Sequence, residues 1–427
     1  MPPNQQQYPP QQPVRPPYSP SPYDDFNPYS SLPPQKPRRT KWIVIIILLL
    51  VLVVGTAAAV IYASGQSKTP TTPASQSNQP KKATGTNNWT GKANSYKWSD
   101  AANWSLGKPQ NGQTLHFDVS KVKQPVNDYG DSTAVLLDND ISDLSIKKLV
   151  FDGKVKDMLI SIDGDPLTIS DGIESTIVPT AAKPPETSSV PQVFLYNKVT
   201  FPGNATVKTT GKNSLTFYRD SGTSVELKKT LKLTASGTSN ISVSGAVAGT
   251  GTIEFTENSI ADTAFASFTT ASPDFDGKVI IGKGNLVHVG NRNTTGTVNA
   301  FGDSSIQIAD GGALKVLGTH ATTFTIDNDI TMAGVGVAWK AGNTGATTGA
   351  ISVCLTSAEQ GCEANVAVTL GGKIKLTGDT QFGAQYGGED FVVPIDITTA
   401  TFILENTISS NYQLGAVPAS LVIIQQK

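Results

Sequence analysis

The chain has 427 residues, a formal net charge of −1 and 16% charged side chains, well under the roughly 25% of ordinary globular domains. Such a chain lacks the basic field that nucleic-acid binding draws on, so no nucleic-acid partner is expected. Its 39 glycines, with abundant Thr, Ser, Asn and Val, favour strands and turns over helices.

Residues 1–41 are rich in Pro, Gln, Tyr and Ser and nearly free of aliphatic side chains, so no core offsets the entropy of ordering them. They read as a disordered tail with polyproline II bias. The spacings Pro13–Pro16 and Pro17–Pro20 suit an aromatic groove on a partner; a solvated spacer is the plainer reading. Residues 43–63, IVIIILLLVLVVGTAAAVIYA, hold no charge across 21 positions. As a helix they would measure about 31 Å, the thickness of a bilayer core. A transmembrane helix over 42–63, acting as a signal-anchor, is therefore expected. Arg38, Arg39 and Lys41 precede it and the next charge is Lys68, which keeps the tail cytoplasmic and places residues 64–427 outside the membrane. Residues 64–86 form a Ser/Thr/Pro-rich linker.

Residues 87–427 read as one exported β domain, with a loop at 179–191 separating a first lobe from the rest. Segments such as QTLHFDV, MLISIDG, QVFLYNKVTF, GTIEFTE, KVIIGKG and TFTIDNDITMAG alternate apolar and polar residues and end at Gly, Asp or Asn. No apolar stripe of helical period lasts three turns. Internal repetition selects a solenoid over a sandwich or barrel. LLDNDISDLSI (136–146) pairs with TIDNDITMAGV (325–335), and IIGKGNLVHVG pairs with IADGGALKVLG. The fold class expected is all-β: a solenoid of fifteen or so rungs, about 70 Å long, preceded by one transmembrane α-helix and a disordered tail.

The order of these motifs resembles the autotransporter-associated β-strand repeats of bacterial exported passenger domains. Phe275-Asp276-Gly277, Val279 to Leu286 and Gly311-Gly312-Ala313-Leu314 follow the family's sequence of an aromatic–Gly pair, a strand with Gly before Leu, and a GxxL strand. The segment from Trp98 to Gly112, WSDAANWSLGKPQNG, is similar to the opening of such passengers. The likeness covers roughly 87–120 and 245–380, and 120–240 by strand pattern alone. It implies a right-handed parallel β-helix. The family's translocator barrel has no counterpart before the final SLVIIQQK, and the apolar segment near the start takes the place of an anchor.

Three of the five tryptophans, Trp89, Trp98 and Trp104, gather where the β domain begins. Two readings stand: a cap over the exposed first coil of the stack, or a platform for sugar rings. Cys354 and Cys362 either close a small disulfide loop outside the membrane or remain free thiols. Two cysteines without nearby His make too few ligands for a metal, and no cofactor is expected. Asp138, Asp140, Asp143, Asp163, Asp165, Asp327 and Asp329 lie in DND or DGD turns, where Asp serves backbone hydrogen bonds; paired carboxylates of a glycosidase and a Ca²⁺ turn are the rival uses. His116, His288 and His320 lack a recognisable nucleophile context. The functional expectation is a non-catalytic, adhesin-like or structural surface protein presenting its solenoid to a glycan or protein. A polysaccharide-degrading β-helix enzyme, lyase or glycoside hydrolase, is the alternative.

Overall fold

The computed structural model describes residues 84–404, apart from 94, 123–126, 130–131, 156–157, 181–189, 257–264, 291–298, 317–322, 338–348, 354–366, 381, 385–394 and 397–400. The tail, the apolar segment 42–63, most of the linker, and Cys354 and Cys362 lie outside the described residues. Among those described, no helix is long and apolar enough to cross a membrane. The helical content described is one short 3₁₀ turn, Ala101–Asn103.

Nearly all the rest is a parallel β-solenoid whose main strands stack in three ladders; Asn127–Tyr129 pairs antiparallel with Ser132–Ala134, and Lys154–Val155 pairs with Val178–Pro179 apart from the ladders. The longest begins at Thr86–Asn88, passes through Thr114–Asp118 and the second half of Ser145–Asp152, and reaches Thr401–Leu404. Its eleven successive pairings are all parallel. Among the described residues its twelve strands, at about 4.8 Å per spacing, span roughly 53 Å; the sequence expectation of about 70 Å was for the whole β domain. The second ladder runs from Ser132–Asn139 through Met158–Gly164, Gln192–Leu195 and Asn240–Val243 to Phe382–Ala384. The third holds short pairings such as Val199 with Val225, and Val225 with Val247. One coil shows the order: Asn240–Val243 in the second ladder, Ala246–Ala248 in the third, then Thr252–Phe255 in the first.

Strict register stacks like on like. Leu149, Ile173, Val207, Leu233, Phe255 and Ile281 lie one above another in the first ladder, each 2% exposed or less. Every such side chain contributes about 1.5–3 kcal/mol by leaving water. The alternation is visible in single strands: Asn240–Ala248 is buried at every second residue. The corners use Asn and Gly. Asn139 and Asn197 both donate from Nδ2 to the carbonyl of Asp165, at 2.9 and 2.8 Å. Asn328 donates to the carbonyls of Gly302 and Ser304.

One of the two repeats seen in sequence is a repeat of coils. IIGKGNLVHVG and IADGGALKVLG stack directly: Ile281 pairs with Ile308, and Leu286 with Ala313. Gly284 in the upper turn donates its amide to the carbonyl of Gly311 in the lower one at 2.7 Å. The two DND segments differ in place. Asn139 ends the second-ladder strand Ser132–Asn139, whereas Asn328 lies just before the first-ladder strand Ile330–Gly334. They share a corner chemistry and not a coil position. The loop at 179–191 does not interrupt the stack, because Leu159–Ile162 on one side pair directly with Gln192–Leu195 on the other.

Close coil-to-coil approach makes certain glycines irreplaceable. Gly172 has φ +129, and a Cβ on it would overlap the carbonyl of Thr206 in the next coil. Gly203 has open space around it. Gly172→Ala is expected to lower stability by at least about 2 kcal/mol, while Gly203→Ala stays within about 0.5 kcal/mol of the parent. Thermal and denaturant melts of the two variants, side by side, test this.

Candidate functional site

The tryptophan segment sits at the N-terminal end of the stack. Trp98 pairs its amide with the carbonyl of Asp138 at 2.9 Å, above the first full strand of the second ladder. Trp89 bridges Trp104 in antiparallel fashion. Asp100 caps the 3₁₀ turn by accepting from the Ala102 amide, and buried Asn103 donates to the carbonyls of Ser95 and Lys97. This wiring turns all three indoles inward: Trp89 is 3% exposed, Trp98 0% and Trp104 4%. Each ring meets Phe117, at centroid distances of 5.8, 5.9 and 5.5 Å, and Phe117 stacks on Phe151 at 5.4 Å. Trp104 Nε1 donates to the Trp98 carbonyl, while Nε1 of Trp89 and of Trp98 finds no acceptor. In this arrangement the rings lie over the end of the aliphatic column and present no face to solvent.

The aspartates of these turns differ in how their carboxylates are engaged. Asp140 accepts from the amide and hydroxyl of Ser99 at 2.8 and 2.6 Å and pairs with Lys97 at 3.6 Å. Burial pushes its carboxyl up, but the Ser99 hydrogen bonds and Lys97 outweigh that and hold it below the usual range. Asp165 accepts from the Ser142 hydroxyl at 2.8 Å. Asp138 and Asp163 differ. They are register partners in adjacent second-ladder strands, and residue alternation points both outward. Burial and the nearby Asp140 charge hold Asp138 above the usual carboxylate range, against the pull of Lys97. Asp163 is exposed, and its Oδ1 accepts from the adjacent Gly164 amide at 2.7 Å. Among the described residues no three His, Cys, Asp or Glu side chains are placed to hold a metal ion. The Asp327 and Asp329 turn lies many coils away; Asp329 accepts from the Lys373 amide at 3.0 Å.

The same outward row continues into tyrosines. Register carries Ile162 onto Leu195 and Phe217 onto Val243. The residue after each is therefore outward, and the row reads Asp138, Asp163, Tyr196, Tyr218, Ser244. Tyr196 and Tyr218 meet edge to face at 5.1 Å. Phe194, in the neighbouring outward row, stacks on Tyr196 at 6.0 Å and meets Tyr218 at 6.5 Å. Both tyrosines are half-buried and Phe194 is buried, so the cluster has a covered base and a partly open rim. The bend after Tyr218, where the strand loses register over Tyr218–Thr223, brings Asp220 to the Tyr218 hydroxyl at 2.6 Å. Sequence reading missed this site. Its signal was parity: in QVFLYN and SLTFYRD, Phe194, Tyr196 and Tyr218 fall out of phase with the core residues Val193, Leu195, Leu215 and Phe217.

The neighbouring outward row, which carries Phe194, is closed off further along the ladder. His288, Lys315 and Ser352 are 9%, 5% and 0% exposed and are successive register neighbours. Burial, helped by the Lys315 charge, pushes His288 down to about 3, and burial pushes Lys315 down to about 8. His116 lies elsewhere, on the first ladder, where it pairs with Asp152 at 2.9 Å. His320 is outside the described residues.

Comparison of the chain with protein-family models, with curated proteins and with solved structures found no match.

Two outcomes follow from these placements. Trp98→Ala is expected to cost about 3–5 kcal/mol, as for other large buried aromatics, and Tyr196→Ala much less; melts of both variants measure the contrast. His288 is neutral when folded and takes up a proton on unfolding below its ordinary 6.5. Its contribution is thus complete above pH 6.5 and is lost as pH falls toward about 3. Wild type should therefore melt progressively earlier across that window, and His288→Leu should flatten the slope.

Proposed function

We propose that the chain is a single-pass, membrane-anchored bacterial cell-surface protein whose solenoid binds a glycan or protein on another surface and converts nothing. The anchor reading rests on the uncharged run 43–63 behind Arg38, Arg39 and Lys41, with the tail cytoplasmic and residues 64–427 outside. The surface reading rests on the resemblance to autotransporter-associated repeats, which also implies right-handed winding. The binding reading is carried by one observation: the half-open Tyr196–Tyr218 pair, backed by Phe194, on the outside of a sheet. Tyrosine offers a rigid apolar face with a hydroxyl at its tip, suited to sugar rings and to protein side chains alike. Lateral reach fits this role, since a stacked solenoid supplies a long side face rather than a deep pocket.

The hydrolytic alternative has one observation in its favour, the outward Asp138 over Asp163 with the Asp138 carboxyl held high. A glycosidase needs an acid and a base on either side of a scissile bond. Here both carboxylates stand side by side in one outward row of the same sheet.

Binding of full-length protein in detergent micelles to a panel of cell-wall and host-type polysaccharides, with reducing ends assayed in the same samples, decides between these readings. Retention without new reducing ends is expected, and Tyr196→Ala with Tyr218→Ala should weaken it at least about tenfold. Release of reducing ends that Asp138→Asn abolishes would establish the enzyme instead. Orientation is read separately, by protease added to intact cells: cleavage of the solenoid with the tail spared is expected, and the reverse pattern would refute the topology.

A further inference from the structure

The outward row that carries the tyrosines also carries charge, and the two are ordered along the solenoid. Asp138, Asp163, Tyr196 and Tyr218 occupy four consecutive strands of the second ladder, about 14 Å at the usual strand spacing. At the acidic end Asp140 and Asp165 stand at the same corner, and Asp138 is close enough to Asp140, Asp163 and Asp165 to feel all three charges. Lys97, 61% exposed at its side chain, answers this group from above and is already engaged with Asp140. The first ladder carries opposite charges side by side, Lys148 with Glu174 at 2.5 Å and Lys232 with Glu254 at 3.8 Å. Along the aromatic row the carboxylates gather at one end. A metal ion does not account for it, since no three ligand groups converge among the described residues. Nor does a peptide bound through its backbone: the ladder pairs the strands on both sides, so this face offers side chains and no open strand edge.

We infer that the ligand of this face is a polysaccharide bearing free amino groups, laid along the solenoid axis with sugar rings on Tyr196 and Tyr218 and a protonated amine over Asp138 and Asp163. This rests on the glycan-binding reading above and narrows it. The tyrosines supply flat contacts that any sugar satisfies; the paired carboxylates supply the selectivity, because an ammonium group gains charge-assisted hydrogen bonds there and an acetamide does not. A polymer meets both in one register, since successive coils repeat the contact at a constant spacing. A bound cation also relieves the repulsion between Asp138 and its acidic neighbours, so the site favours the ionised form of Asp138 when occupied.

The test is calorimetric titration of the full-length protein in detergent micelles with chitosan oligosaccharides and with chitin oligosaccharides of equal length. It is run at about pH 6, where a carboxylate is ionised. The free-amine chain should bind at least about tenfold more tightly than the acetylated one. Asp163→Asn should erase that preference while leaving the weaker acetylated binding in place; Asp163 is exposed and bonded to its own loop, so circular dichroism should match the parent. Tyr196→Ala should weaken both ligands. Equal or tighter binding of the acetylated chain would overturn this inference and leave glycan binding standing. Failure of both chains together with every glycan of the panel would remove both. Tight binding of oligolysine that depends on Asp163 but not on Tyr196 would overturn it in favour of a basic peptide.

Discussion

Everything in this molecule depends on in-register parallel stacking. Each coil must set an apolar side chain directly above the one below, and each corner must satisfy its backbone groups within a few residues. The column from Leu149 to Ile281 meets the first demand, with every member buried. Asn139, Asn197 and Asn328 meet the second by donating to carbonyls of neighbouring coils. Glycines such as Gly172 permit the approach that brings those carbonyls near. A side chain that violates the register disturbs two neighbours at once, so inward positions are narrowly specified while outward ones are not.

An open stack has ends, and the N-terminal end is where the largest rings are spent. A coil with nothing above it would leave Phe117 and the aliphatic column wet. Trp89, Trp98 and Trp104 cover that surface. Two of their three Nε1 groups have no acceptor, a cost of about 1–3 kcal/mol each that a purely apolar cover would avoid. Ring area outweighs that cost, because each indole buries some 150–250 Å².

How much of this was legible depends on what local periodicity can carry. Strands such as Thr252–Phe255 and Asn240–Ala248 announce themselves by alternation, and GKGN and ADGG announced a shared corner. Ala205–Gly211 escaped because its inward row ends in buried Thr209, which bonds Ser239 instead of packing as an aliphatic. QVFLYNKVTF reads as one strand but holds two, folded at buried Asn197. Alternation within a strand says nothing about which strand lies above it. Identical DND segments could therefore be assigned to equivalent coils when they occupy different corners. For the site, the tryptophans drew notice by size, although their burial was fixed by pairing with distant Asp138 and His116, which no local pattern encodes. The tyrosines were open to discovery by phase alone.

Freedom on the outside explains why one face can be singled out. The first ladder spends several outward positions on ion pairs, Lys148 with Glu174 and Lys232 with Glu254, and on the contact of His116 with Asp152. Exposed pairs of this kind add little stability, about 0–1 kcal/mol each, but they engage side chains that a partner would otherwise use. The second ladder divides between its two outward rows. The row through Phe194, Thr216, Ser267 and His288 is buried, so any contact there would first have to displace the chain's own cover. The row from Asp138 to Ser244 stays partly open, with carboxylates at one end and aromatic rings at the other. Stacking requires neither feature, since Ser or Thr at those positions would leave the column beneath unchanged. That makes this stretch the part of the outer surface whose composition the fold itself does not explain.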